Sequence, residues 1–502
     1  MELFLQVGLI YVFNIIVGTG ALALPAVLGR AGWLLGSFVI LVLALISFIT
    51  VTFVIETMAS ANAILTWTKI QELMRIGQAQ ERPIDGSETE AMQAVGPSTS
   101  DSEDTPLVTP SLKNSERIDV SYRYYSIDDK IEMGEMASIF FNKIGTIMFY
   151  ACLAIYLYGD LSIYGTAIAK SVADVSCTYI PQNYTCNDII PDNEHCWESI
   201  NLSRFDAYRL FLTVFILSLG PFAFFNVQKT LYLQILTTMM RWLAFMIMIL
   251  YTIQKLIIDG AQGKPSKADS AGLPGLFGVC VYSFMCHHSL PALLTPISNK
   301  SMLNRSVGFD FLLISFFYLL LALTGIFAFE HLDDLYTLDF GPRNCSTSSN
   351  IFIVIIEYFL ALFPVFTLST SFPIIAITLR NNLQYLFFRD NESYNFCLSK
   401  LIFPILAVLP PYLIAMSTKN LTVLVSITGS YAGAGIQYLI PTFLVYNARK
   451  QTAQVFTQEV TNKFASPFAS HYWLIFIFLW SIVCVSLVSI NLIDKHLSSS
   501  FY

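Results

Sequence analysis

About eleven apolar runs, most of them roughly 18 residues or longer, succeed one another along this chain. Runs of that length cross a bilayer as α-helices, so the expected fold is an all-α polytopic membrane protein. Only 13% of the 502 residues are charged and 55% are apolar, which is about half the charge of a soluble chain. A transmembrane β-barrel needs short segments of alternating hydrophobicity, whereas these runs are continuous. The net charge of −7 comes with no basic cluster, so nucleic acid is not an expected partner and the lipid bilayer is.

The runs fall at about 5–29, 33–58, 145–170, 208–226, 230–257, 273–296, 307–328, 350–379, 400–416, 420–446 and 472–493. This order gives two spans in 1–63, a loop over 64–143, and spans three to five in 144–258. Spans six to ten occupy 273–446, and a last span with its tail occupies 447–502. The stretch 80–125 is rich in Glu, Asp, Ser, Thr and Pro, a composition expected to stay disordered. Short interfacial helices are expected on either side of it, at 65–77 and 128–142. The first run begins almost at Met1 without a basic leader and is followed by a second, so it reads as an uncleaved signal anchor.

Counting Lys and Arg orients the chain. A cytosolic N-terminus puts about 17 basic residues on the cytosolic side and about 10 opposite, with Lys300, Arg305, Arg380, Arg389, Arg449 and Lys450 all inside. That topology places loop 171–206 on the lumenal or extracellular face. The loop carries Cys177, Cys186 and Cys196 and the glycosylation acceptors Asn183 and Asn201; loop 329–349 adds Cys345 and the acceptor Asn344. Four cysteines on an oxidising face are disulfide candidates with three pairings open. Plasma and endolysosomal membranes both fit this topology.

Two spans are interrupted. The first contains Asn14-Ile-Ile-Val-Gly-Thr-Gly-Ala-Leu-Ala-Leu-Pro25, with Gly18-Thr19-Gly20 at its centre. The sixth contains Cys286-His287-His288-Ser-Leu-Pro291 within an apolar run. Glycine weakens a helix, and backbone groups freed in lipid must find partners. Interrupted spans at matching positions of two halves point to a transporter site, and five spans per half is odd, so the halves run in opposite senses. Freed amides at Gly18, Thr19 and Gly20 suit a carboxylate, and unwound carbonyls in span six suit an ammonium or a cation. Together they describe a zwitterion site. A small-x-small pair is equally the mark of a helix-packing seam.

The residues carry a resemblance as well. Asn14 to Pro25 resembles the opening motif of the amino acid/auxin permease group. Phe284, Cys286, His287, Leu290 and Pro291 resemble its sodium-coupled branch. Phe366 to Pro373 and Gly429 to Pro441 are similar to the group's eighth and tenth spans, and almost the whole chain resembles the transmembrane protein 104 family within it. The resemblance implies a LeuT-like 5+5 inverted repeat with discontinuous first and sixth spans, plus one extra C-terminal span. It implies substrate contacts at Gly18, Thr19 and Gly20 and a cation contact at Asn14, with Ser369 or Ser371 as hydroxyl partner. The group's Thr-x-Thr-Val-Pro stands here as Ser369-Thr370-Ser371-Phe372-Pro373, a departure that bears on sodium.

Ionisable residues at membrane depth are functional candidates. Asp160 in span three and His287 and His288 in span six are candidate carriers of a coupling proton or ligands of a cation. Each is also the kind of residue that a structural hydrogen bond can hold. Arg241 and Glu357 are expected to pair with polar partners, and Glu56 and Asp310 to lie near span ends. Tyr282 and Phe284 are candidate pocket walls beside Cys286. Cys286-His287-His288 is too compact for a tetrahedral metal, and no nucleophile or phosphate loop argues for an enzyme. The expected activity is secondary transport of small zwitterions, foremost neutral amino acids, by alternating access, with sodium or a proton as the coupling ion. The alternative is a non-transporting sensor or scaffold that recruits a cytosolic partner through loop 64–143.

Overall fold

The computed structural model describes residues 16–80, 124–181, 190–225, 231–297, 300–341, 351–387, 401–456 and 461–500. Among them there are helices and no strand, apart from one isolated bridge between His195 and Ser203. Span one is the helix Thr19–Ala31, and span two is a single helix, Trp33–Gln80. Span three is Lys143–Ser176, span four Arg204–Leu219 with a 3-10 turn Gly220–Phe224, and span five Leu231–Asp259. Span six is Leu273–Ser283 and, after an interruption, Leu290–Leu294; span seven is Leu303–Ala328. Span eight is Ile351–Ala361 followed by Phe363–Phe387, and span nine is Phe403–Ser417. Span ten runs from Leu421–Thr428 through two π turns, Gly429–Gly433 and Gly435–Leu439, into Ile440–Val455; span eleven is His471–Ser500. Nine of the described helices are long and apolar enough to cross a membrane.

The expected helix at 65–77 is the continuation of span two, and the one at 128–142 is Met133–Phe140, closed by a Glu132/Glu135 capping box. Most of 80–125 lies outside the described residues. Glu56 and Asp310, expected near span ends, are both buried. The reason is helix length: span two continues to Gln80 and span seven begins at Leu303, so each carboxylate sits well inside its helix.

The packing follows the two halves. Span one packs on six, two on seven, three on eight and four on nine, as expected when span n and span n+5 face each other across a two-fold axis. Span eleven adds to spans six and ten. Span one is buried along nearly all of its described helix; of the nine long spans, two, six and ten are the most enclosed, and five and eleven the least. Large apolar side chains face outward at helical spacing, as with Phe38, Leu41 and Leu45 on span two and Phe309, Leu312 and Phe316 on span seven. Such a belt is stable only against lipid.

Outside the bundle, Cys177 and Cys196 form a disulfide, one of the expected pairings. The indole of Trp197 donates to the Ser176 carbonyl (2.8 Å) beside it. Asn201 is exposed in the same loop, while Asn183, Cys186, Asn344 and Cys345 lie outside the described residues.

Candidate functional site

Span one is broken at Val17 and Gly18, and a helix begins at Thr19. Gly18 precedes it in a non-helical conformation (φ −125°, ψ −146°), and its N–H turns back to the Ile16 carbonyl at 2.9 Å. The amides at the start of the new helix, Thr19 and Gly20, have no acceptor one turn earlier in that helix. Gly20 faces span six: a Cβ placed on it would stand 2.7 Å from the Ser283 Cα. Asn14 lies outside the described residues.

Span six breaks at the matching position. Its first helix ends at Ser283, residues Phe284 to Cys286 leave the helical ladder, and a 3-10 turn His287–Ser289 leads into Leu290–Leu294. Pro291 sits in the first turn of that second piece, where its missing N–H costs nothing. One side chain serves both breaks. The buried Tyr318 hydroxyl of span seven lies 2.8 Å from the Ile16 carbonyl and 2.9 Å from that of Ser283. A hydroxyl has one proton, so it donates to one of these carbonyls at a time.

Span three presents Tyr156, Asp160 and Tyr164 four residues apart, hence on one face toward the breaks. Asp160 is buried and accepts a hydrogen bond from the Tyr282 hydroxyl. The Tyr156 ring packs on His288, with 5.6 Å between centroids. One turn beyond Asp160, Tyr164 hydrogen-bonds the Thr19 side chain, with Arg241 as an electrostatic neighbour. His287 is fully buried, with Nε2 2.9 Å from Thr50 Oγ1 of span two, the donor depending on the tautomer.

A small cavity opens at the start of the span-one helix. The described residues that line it are Gly18, Thr19 and Leu22 of span one, Arg241 and Phe245 of span five, and Phe363, Thr367 and Leu368 of span eight. Its volume of about 10 Å³ is room for roughly one water, too little for an amino acid in this conformation.

Of the residues expected to meet a substrate, Gly18 and Thr19 line this cavity. Gly20 is turned to Ser283, Tyr282 is engaged with Asp160, and Phe284 is packed between Phe311 and Tyr318. Cys286 is buried in the apolar core. In span eight the cavity-lining hydroxyl is Thr367, whereas Ser371 bonds back to the Thr367 carbonyl (3.4 Å) and Ser369 is not among the lining residues. Tyr164, Tyr318 and Thr367 were missed from the sequence, and Arg241 was noted only as a residue needing a partner. The cue was present for two of them: Tyr164 continues the Tyr156–Asp160 spacing, and Arg241 is a cation within an apolar span. No group of metal-ligating residues occurs among the described residues.

Polar closures flank the bundle at both ends. At one, the Arg449 guanidinium of span ten forms a two-armed bond to Glu56 of span two (2.7 Å on each arm). The Ser466 amide adds a third bond to Glu56 at 2.9 Å. At the other end, Lys170 of span three binds Asp333 and Asp334 in the loop after span seven. Asp334 also accepts the Leu421 amide at the start of span ten, at 2.6 Å. Burial alone would raise the Asp333 carboxyl, but the Lys170 ammonium holds it below the usual carboxylate range.

The family model described as transmembrane amino acid transporter protein matches residues 120–489. The chain is 49% identical to the Transmembrane protein 104 homolog of Drosophila melanogaster, over 97% of this chain and 96% of that one. It is 44% identical to Transmembrane protein 104 of Homo sapiens, over 97% and 96%, and 32% identical to the Dictyostelium discoideum homolog, over 98% and 97%. Among solved structures, the crystal structure of MhsT in complex with L-phenylalanine aligns over 98% of this chain and 99% of that one, at 12% identity and a TM-score of 0.45.

Proposed function

The chain belongs to the transmembrane amino acid transporter protein family, with the Transmembrane protein 104 proteins as its relatives, and from that premise we propose that it carries neutral amino acids by alternating access. The observation that carries the proposal is the meeting of two interrupted spans at one side chain, Tyr318, next to a cavity at the start of a half-helix. The amides of Thr19 and Gly20 and the positive end of the helix favour the substrate carboxylate. The carbonyls of Ile16 and Ser283 favour its ammonium once Tyr318 releases one of them. Leu22, Phe245, Phe363 and Leu368 offer an apolar side chain its surroundings.

In the topology with a cytosolic N-terminus, the Lys170–Asp333–Asp334 closure faces the lumenal or extracellular side and the Glu56–Arg449 closure faces the cytosol. Opening outward breaks the first and opening inward breaks the second, with the site closed between. For coupling, Asp160 and His287 are the candidate proton carriers, because each is buried and hydrogen-bonded to residues beside the breaks. Asn14, Ser369 and Ser371 are the candidate cation ligands.

Uptake of labelled neutral amino acids into proteoliposomes tests the proposal, with sodium or a pH gradient imposed separately. Accumulation that follows one of the gradients supports it. Absence of uptake for every amino acid under both gradients overturns it.

A further inference from the structure

The break of span six also carries a group of polar side chains outside the cavity, shared with spans two and ten. His287 is fully buried in the turn between the two pieces of span six, and its Nε2 lies 2.9 Å from Thr50 Oγ1 of span two. Three residues earlier on the same face of span two, the buried Ser47 hydroxyl accepts a hydrogen bond from the side-chain amide of Gln437. Gln437 is fully buried in the second π turn of span ten, Gly435–Leu439, which packs against the His287 turn. Such π turns collect at functional sites. Ser47 and Thr50 therefore tie two irregular segments, one from span six and one from span ten, to a single face of span two.

The hydrogen bonds set the polarity of this group. Ser47 gives its single proton to the Leu43 carbonyl at 2.7 Å, so the Gln437 arm bonded to it is the donating Nε2, and the carbonyl Oε1 is left over. Thr50 Oγ1 lies 3.0 Å from the Ser47 carbonyl and 3.2 Å from that of Ile46. A hydroxyl that gives its proton to either one accepts from His287 Nε2–H, and that tautomer makes Nδ1 a bare lone pair. Among the described residues, neither His287 Nδ1 nor Gln437 Oε1 has a hydrogen-bond partner, although both are shut off from solvent. Buried acceptors without partners are costly. One added proton changes this: on Nδ1 it turns an acceptor into a donor, and the Gln437 carbonyl is the unengaged acceptor of the adjoining turn.

The other titratable groups around His287 are already placed. Cys286 and His288 flank it, with His288 packed on Tyr156 of span three and Cys286 facing Asp310 of span seven. Glu56, further along span two, is held by Arg449, and Tyr438 of span ten is turned to Ser47. Asp160 is engaged by Tyr282.

We propose that His287, Thr50, Ser47 and Gln437 form the proton-binding site of the transporter, separate from the substrate cavity. A proton taken from water onto Nδ1 makes an imidazolium held by Thr50 on one side and by the Gln437 carbonyl on the other. Its release to water on the opposite face of the membrane returns the neutral ring. The inference rests on the transporter reading above and decides between the two proton carriers named there. It also gives the π turn of span ten a task, which is to dock on a charged span-six turn and part from a neutral one.

The test uses the full-length chain in proteoliposomes with a labelled mixture of the neutral amino acids, in two modes. One is accumulation driven by a pH gradient; the other is exchange against unlabelled amino acids inside, at equal pH on both sides and over a series of pH values. The unaltered chain is expected to accumulate label under the gradient. His287→Gln is expected to lose that accumulation while keeping exchange, at a rate that no longer varies with pH. Gln437→Glu sets a carboxylate beside the imidazole and is expected to move the midpoint of the exchange profile upward by about one pH unit or more. A packing role for Gln437 would not produce that shift. Should His287→Gln fail to elute as a folded protein, the profile of Gln437→Glu decides. Accumulation by His287→Gln under the pH gradient, an unmoved profile in Gln437→Glu, or an unaltered chain driven by sodium and not by pH each overturns the proposal with transport intact. An unaltered chain that neither accumulates nor exchanges overturns the transporter reading beneath it.

Discussion

Gly20 of span one and Ser283 of span six meet at backbone distance: a Cβ on Gly20 would lie 2.7 Å from the Ser283 Cα. The contact joins the two interrupted helices directly, and neither backbone can yield as a flexible side chain would. Gly20→Ala is therefore expected to destabilise the protein by about 1–3 kcal/mol, the usual penalty for overpacking. A melting curve in detergent checks this against Gly275→Ala, where a Cβ meets nothing within 4 Å. Equal melting of the two variants would show that the breaks are not held at this distance.

Tyr318 is expected to matter more to turnover than its burial suggests. Tyr318→Phe keeps the ring packed against Phe284 but removes the only described donor shared by the Ile16 and Ser283 carbonyls. The Ile16 carbonyl keeps the Gly18 amide, so the loss falls on the Ser283 carbonyl, at a cost of about 1–3 kcal/mol. The variant should fold with a lowered melting temperature and lose most transport; a variant with unchanged uptake would remove Tyr318 from the site.

The Glu56–Arg449 closure should be costly to break from one side. Glu56 is buried, and Arg449→Gln leaves its carboxylate with the Ser466 amide as its described partner, at an expected cost of about 3–5 kcal/mol. Pairing it with Glu56→Gln should restore part of that loss, because the stranded charge is gone. A double-mutant cycle by thermal melting measures the recovery. Strict additivity of the two changes would mean that the pair is not coupled.

At the opposite closure the pH dependence has a definite sign. Lys170 holds Asp333 ionised below the usual carboxylate range, against the effect of its burial. A carboxyl whose pKa is lower folded than unfolded adds stability above its unfolded value, and loses it as pH falls through the folded one. The stability gap between the unaltered chain and Asp333→Asn should stay constant from about pH 7 to pH 5 and shrink only below about pH 4. A gap that closes near pH 6 would contradict the assignment.

The two breaks were legible because glycine, proline and adjacent histidines are conspicuous in an apolar run; Asp160 was conspicuous as a carboxylate at that depth, and the structure holds it in a hydrogen bond to a neighbouring helix. Tyr318 and Tyr164 were not legible, since an aromatic residue in a span looks like packing until its hydroxyl is located. Glu56 and Asp310 lie deeper in their helices than the apolar runs suggest and are buried, because hydropathy marks where a helix enters lipid, not where its hydrogen-bonded ladder stops. The run Gly429 to Gly435 resembles the group's tenth span, but nothing in its composition announces two π turns. Gly20 divides the readings: it lies in the motif assigned to substrate, and the structure uses it for the approach of two helices.

The central claim is that an amino acid occupies the cavity between spans one, five and eight. Site protection tests it most directly. Thr367→Cys places a thiol on the cavity wall, and its modification by a small methanethiosulfonate reagent is followed by mass spectrometry at that peptide. A saturating mixture of the twenty amino acids should slow the modification several-fold, without changing the rate at a cysteine introduced at lipid-facing Leu312. Equal rates at Thr367→Cys with and without amino acids would contradict the account.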